Sequence, residues 1–248
     1  MLIQPYGFLG AAAAEAATLP NIYSGSNLEQ WIAPEVSTSV SSFQTDYSGN
    51  GRDVSIGGGE WSWNGDNYLE ITSGTTVSNS VDTFYKPDMS GDFTFQLWVW
   101  VVSTSGISGD ADVGILHNLQ TGVSANSFSF RARRTTTFTT FMRPAGSAIF
   151  NYNDAGGWGQ WRMLTFTGNG TTNDMTLYWD DAVKHQNLAT SGMSAGQDTQ
   201  MYLAGIFDGN SSNYFTAVKY GAFRQYTEEL TSTQVTTNFN AEKAHYGL

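Results

Sequence analysis

The sequence predicts an all-β protein, a sandwich or barrel of strands and tight turns, and three observations carry that expectation. Turn residues recur at short intervals. Gly57-Gly-Gly59, Asn64-Gly65-Asp66-Asn67, Ser108-Gly109-Asp110, Asp154-Ala-Gly-Gly157, Gly168-Asn-Gly170 and Asp208-Gly-Asn210 each separate a pair of candidate strands. Aromatic residues make up 14% of the chain and charged residues only 13%, too few Lys and Glu for a set of amphipathic helices. The third observation is alternation. Phe93, Phe95, Leu97, Val99 and Val101 share one face of a strand, and Thr94, Gln96, Trp98 and Trp100 share the other.

Taken from the N-terminus, residues 1–40 have little periodicity and hold Pro5, Pro20 and Pro34, three of the five prolines. They read as an extended arm with at most a short helix over Ala11–Ala17, ahead of a sandwich over residues 41–248. The arm carries Leu2, Ile3, Tyr6, Phe8 and Leu9, apolar groups suited to burial in a neighbouring subunit as an assembly interface. Its opening residues lack the positive start of a signal peptide, and Gln4, Pro5, Gly7 and Glu15 interrupt the apolar stretch. The arm therefore reads as belonging to the mature protein. No run approaches the roughly 18–20 apolar residues of a membrane span.

Within the sandwich, the apolar face of the Phe93–Val102 strand is a core face. The opposite face mixes polar groups with two indoles and is either lightly covered or a binding surface. Ser127–Arg133 and Thr137–Arg143 read as a hairpin, as do Trp161–Thr167 and Asp174–Asp180 around Gly168-Asn-Gly170. Met201–Phe207 and Tyr214–Tyr226 follow, the latter bent near Gly221 where the strand has no side chain. After Leu230 the pattern changes. Thr231 and Gln234 have capping-box spacing, Val235 and Phe239 lie four apart, and Gly247 can close a single short helix.

Chemistry-bearing patterns are sparse. A net charge of −11 argues against a nucleic-acid partner, and the absence of cysteine removes disulfides and thiolate metal sites. Asp46-Tyr-Ser-Gly-Asn-Gly51 begins like a calcium loop, with oxygen ligands at positions one, three and five and glycine at six. Position twelve is Gly57, and Glu60 comes too late to supply the bidentate carboxylate, so the run reads as a tight turn. Asp180-Asp181, Glu228-Glu229 and Asp110/Asp112 sit at turns as solvated charge. His117, His185 and His245 are far apart and repeat no ligand spacing. Gly57-Gly-Gly59 lacks the Lys of a phosphate loop and reads as a hairpin turn. Arg131, Arg133 and Arg134 are the one basic cluster, an exposed strand face or a contact to an acidic neighbour. Trp98, Trp100, Trp158, Trp161 and Trp179 are either core fillers or rings for stacking sugars.

An ordered series of segments adds a resemblance. Asp46-Tyr-Ser-Gly-Asn-Gly51, Trp63-Asn-Gly-Asp-Asn-Tyr-Leu-Glu-Ile71 and Phe93-Thr-Phe-Gln-Leu-Trp-Val99 come first. Gly159-Gln-Trp-Arg-Met-Leu-Thr-Phe166, Met175-Thr-Leu-Tyr-Trp-Asp-Asp-Ala-Val183, Met201-Tyr-Leu-Ala-Gly205 and Tyr220-Gly-Ala-Phe-Arg-Gln-Tyr226 follow. Over residues 40–248 this series resembles the concanavalin A-like lectin/glucanase superfamily in its laminin-G-like branch. The resemblance implies a two-sheet antiparallel jelly-roll sandwich. The paired acids that glucanases of the superfamily carry as E-x-D-x-x-E are missing, and Thr94, Gln96 and Trp98 occupy the strand where they belong. The acidic residue some relatives use for calcium in the last strand is replaced by Tyr220-Gly-Ala-Phe223. No enzyme activity, metal or cofactor is therefore expected.

The closing run Asn238-Phe-Asn-Ala-Glu-Lys-Ala-His-Tyr-Gly-Leu248 is similar to the ends of such domains in bacteriophage structural proteins. That similarity implies a virion location, as a capsid decoration or tail-associated subunit whose partners are other virion proteins and copies of itself. The alternative is a carbohydrate-binding module for host-surface glycans, with Gln96, Trp98 and Trp100 as the glycan-binding residues.

Overall fold

A computed structural model describes residues 20–34, 39–57, 61–64, 68–71, 80–83, 90–101, 112–117, 127–133, 137–143, 148–153, 159–189, 201–203 and 218–248. The assembly residues expected in the arm, Leu2 to Leu9, and the helix expected over 11–17 lie outside the described residues. The first elements are β1 (Leu28–Ile32), α1 (Val40–Phe43), β2 (Ser55–Gly57), β3 (Trp61–Asn64), β4 (Tyr68–Ile71), β5 (Ser80–Thr83), β6 (Phe93–Val101) and β7 (Asp112–His117). Then come β8 (Ser127–Arg133), β9 (Thr137–Arg143), β10 (Ala148–Asn153), β11 (Arg162–Asn169), β12 (Asp174–Trp179), β13 (Ala182–Ala189), β14 (Met201–Leu203), β15 (Val218–Tyr226) and α2 (Ser232–Glu242).

Two antiparallel sheets form an all-β sandwich. One runs β13-β12-β11-β6-β15-β4-β3, with β1 paired to β15 as well; the other runs β10-β9-β8-β7-β14-β5-β2. The hairpins expected at β8/β9 and β11/β12 are both present. Alternation along β6 sets the core: Phe93, Phe95, Leu97, Val99 and Val101 are all buried. Each such side chain contributes roughly 1.5–3 kcal/mol when fully withdrawn from water.

Two sequence expectations change here. Leu28–Ile32 belongs to the stretch read as an arm, yet it pairs with Phe223–Tyr226 and is built into the first sheet. Ile22, Leu28, Trp31 and Ala33 are buried with it, so the folded unit reaches back to residue 22. Gly58 and Gly59 of the expected hairpin turn lie outside the described residues, but the strands that flank them do not pair with each other: β2 pairs with β5 in one sheet and β3 with β4 in the other. Register, a long-range property, decides this, and a local turn pattern does not contain it.

The turn at Asp46 is as the sequence suggests, with Gly49 at φ 88° and Gly51 at φ 67°. Its carboxylate is filled by protein donors. Oδ1 accepts from the backbone N–H of Trp31 and of Ser48 at 2.9 Å each; Oδ2 accepts from Ser48 Oγ at 2.8 Å and from the Arg52 N–H at 2.9 Å. Asn50 Nδ2 donates to the Leu28 and Glu29 carbonyls. The Asp46 and Ser48 oxygens that gave the run its calcium-loop look are hydrogen-bonded into the turn and to β1.

The C-terminal helix starts as predicted. Gln234 Oε1 accepts from the Thr231 N–H at 2.7 Å, and Thr231 Oγ1 accepts from the Gln234 N–H at 3.3 Å. Thr94 ties its approach to β6, donating to the Glu228 carbonyl at 2.7 Å and accepting from the Leu230 N–H at 3.0 Å. β15 slips register against β6 between Tyr220 and Phe223, which places the expected bend at Gly221. The space over Gly221 is taken by Tyr246: a Cβ there would lie 2.4 Å from the Tyr246 hydroxyl and 2.6 Å from its ring.

Gly221→Ala should therefore destabilise the fold by about 1–3 kcal/mol through overpacking. A fall in the urea midpoint at unchanged slope is the expected result; an unchanged midpoint would show that Tyr246 gives way freely.

Candidate functional site

The face of β6 opposite the core holds the three residues read from sequence as glycan-binding. Their fates differ. Gln96 and Trp98 are fully buried, because α2 lies across this face, whereas Trp100 stands past the end of the helix and is only partly buried. Trp98 is stacked against Tyr246 (ring centroids 4.1 Å apart) and Phe239 (5.8 Å). A sugar has no route to Trp98 or Gln96 while α2 is docked.

What holds α2 there is mostly polar. Its buried residues are Val235, Asn238 and Glu242, at helical spacing of three and four. Asn238 uses its whole amide: Nδ2 donates to Gln96 Oε1 at 2.6 Å and to the Tyr226 hydroxyl at 3.0 Å, and Oδ1 accepts from the Tyr23 N–H at 2.6 Å. The Tyr226 hydroxyl in turn donates to the Tyr23 carbonyl at 2.9 Å. Gln96 donates onward to Thr165 Oγ1 at 3.1 Å. One turn along, Glu242 accepts from Trp98 Nε1 at 2.6 Å and forms an ion pair with Arg224. Both charges are withdrawn from water, and the Arg224 guanidinium lies 5.6 Å from the Trp31 ring.

Beyond the helix the same sheet face continues as an aromatic row. Strand register builds it: Lys219 of β15 lies opposite Trp100 on one side and Glu70 of β4 on the other. Alternation along β4 brings Tyr68 to the same face, and Trp161 enters it just before β11. Trp161 meets Trp100 edge-on (6.0 Å, 86°) and Tyr68 likewise (5.6 Å, 67°), and its other flank lies 4.8 Å from the Tyr246 ring. Between Tyr68 and Trp100 sits the Lys219 ammonium, 4.6 and 4.7 Å from the two ring centroids. Among the described residues it forms no ion pair or hydrogen bond. The indole N–H of Trp100 is buried without a hydrogen-bond partner.

Other expected features fall elsewhere. Trp179 is buried on the inner side of the sheet, with the Arg162 guanidinium 5.5 Å from its ring. Trp158 and Arg134 lie outside the described residues. Asp180 is not simply solvated charge: Arg162 pairs with it, it accepts from the Met163 N–H at 3.1 Å, and burial pushes its carboxyl above the ordinary value despite these partners. Among the described residues no three His, Asp or Glu side chains gather as a metal site would need. Sequence alone does not single out Lys219 and Tyr68, since only the β6–β15–β4 register brings them to Trp100.

Two outcomes test the helix seat. Glu242→Ala leaves the Arg224 charge buried and unpaired, and should cost about 3–5 kcal/mol in urea unfolding with loss of the near-ultraviolet signal of Trp98; a loss under about 1 kcal/mol would mean water reaches Arg224 freely. Burial pushes the Tyr226 phenol from 10.0 up to about 12. The fold thus favours its neutral form, so that contribution is complete below pH 10 and lost as pH rises towards 12. Tyr226→Phe should flatten the fall in unfolding midpoint across that window; an equal fall in both proteins would place the titration elsewhere.

No family model and no curated protein matches the sequence. Solved structures resemble its fold. The receptor binding domain of botulinum neurotoxin C/D mosaic serotype aligns with a TM-score of 0.67 at 11% identity, over 89% of this chain and 54% of that one. The binding domain of botulinum neurotoxin DC in complex with SialylT aligns with 0.64 at 14% identity, over 88% and 52%. The binding domain of Paraclostridial Mosquitocidal Protein 1 aligns with 0.63 at 15% identity, over 86% and 52%. The chain spans about half the length of these solved chains, and at such identities the likeness is one of fold.

Proposed function

We propose that this chain is a non-enzymatic, lectin-like binding module that recognises glycans at the open end of the α2-covered sheet face. The observation that carries the reading is the aromatic row there. Trp100 keeps some of its surface in water beside Tyr68 and Trp161, and indole faces suit the C–H faces of sugars. Support comes also from the fold, shared with binding domains of toxins, one of them in complex with SialylT. Fold alone assigns no function, so the weight rests on the site. The concanavalin A-like, laminin-G-like assignment belongs to the same proposal, supported by the strand order and the ordered series of segments.

The virion reading rests on the closing run of the sequence, and the similar structures named above add nothing to it. The glycan reading therefore takes precedence. Within it, Trp100 is the member of the Gln96–Trp98–Trp100 trio placed to touch a ligand, and the other two seat α2.

A glycan array probed with the full chain should show selective binding. Trp100→Ala should weaken that binding about tenfold or more while the melting temperature stays within a few degrees. A wild-type protein with no signal across the array, or a variant that binds undiminished, would overturn the proposal.

A further inference from the structure

We infer that the ligand of this face is an acidic glycan, and that Lys219 takes its anionic group, a carboxylate or sulfate. The inference rests on the glycan reading and sharpens it. Lys219 is a cation without a counter-ion among the described residues. The chain carries 22 acidic residues against 11 basic ones, so carboxylates are plentiful as partners for a lysine. The Lys219 ammonium is instead held between the Tyr68 and Trp100 rings at 4.6 and 4.7 Å. Glu70, its cross-strand neighbour, is the acid nearest in register, and no ion pair joins them.

Ring faces attract the cation but leave its N–H donors to water, which an anion can displace, and the low-dielectric aromatic walls strengthen the attraction for any anion that reaches it. Beside Lys219, Trp100 keeps part of its ring surface in water. A ligand that meets both residues brings a charged oxygen acceptor together with an apolar ring face for the exposed part of Trp100. A sugar bearing a carboxylate or sulfate has both. The net charge of −11 opposes such a ligand only at long range, where salt screens it over about 8–10 Å. The contact itself is set by Lys219.

The test compares the full chain with Lys219→Met and Lys219→Arg on an array of sialylated or uronate-terminated, sulfated and neutral oligosaccharides. Each protein's melting curve is recorded, and binding is measured at about 50 and 300 mM salt. The wild type should prefer one of the two acidic sets at least tenfold, with affinity falling at the higher salt. Lys219→Met should lose the preference and Lys219→Arg should keep most of it. Which acidic set binds identifies the anion. Equal binding of neutral and acidic glycans, unaffected by Lys219→Met, overturns the inference and leaves the glycan reading intact. No binding to any set by the wild type overturns both.

Discussion

The structure depends on how a helix with a polar underside is seated on a sheet. Asn238 and Glu242 face inward from α2, and neither can be buried without partners, since an unsatisfied amide or carboxylate would cost more than the helix gains from Val235. The sheet supplies those partners from one face: Gln96 and Trp98 on β6, Arg224 and Tyr226 on β15. The arrangement is demanding in register. Sliding α2 by one residue would strand Asn238, Glu242 and Arg224 together. Burying an ion pair adds little net stability over an apolar pair of equal volume. Here two of the Arg224 nitrogens, Nε and Nη1, lack hydrogen-bond partners, so full satisfaction does not explain the pair. Its evident effect is to allow one position of the helix.

That position decides what the rest of the face can do. The helix and its following turn end over Gly221, where the missing side chain admits the Tyr246 ring and its hydroxyl accepts from the Ala222 N–H at 2.8 Å. Tyr246 also touches Trp98 and Trp161, both buried, and so joins the seat of α2 to the aromatic row. Under the helix, β6 gives Gln96 and Trp98 to structure. Further along, the same alternation leaves Trp100 partly exposed beside Lys219. Neighbouring residues of one strand face are thus divided between seating a helix and reaching solvent.

Much of this was legible in the sequence, and what was illegible has a common cause. The inner face of β6, the hairpin at Gly168-Asn-Gly170, the bend at Gly221, the turn at Asp46 and the start of α2 are all local, set by alternation, positive φ or capping over a few residues. The face of Thr94, Gln96, Trp98 and Trp100 is legible as polar mixed with indoles, but its cover lies some 140 positions away in the chain, as the separations of the Trp98–Glu242 and Gln96–Asn238 bonds show. A clue was present: α2 lacks a continuous apolar stripe, and the polar side it buries is the complement of the polar face of β6. β1 is hidden because Leu28–Ile32 is short and follows a proline-bearing stretch; only its pairing with β15 makes it a strand.

The likeness to toxin binding domains is one of fold, and a fold alone assigns no function. The sandwich supplies a sheet whose exposed side is available, and unrelated activities can be built there. What this chain can offer there depends on which region of that side α2 leaves uncovered. A cation held by two ring faces is already partly desolvated and fixed in place, so less freedom remains to be lost when an anion arrives. The rings are themselves held, Trp161 by Tyr246 and Tyr246 by the backbone of β15. The order of the candidate site thus descends, through Tyr246, from the same seating of α2 that closes off Trp98.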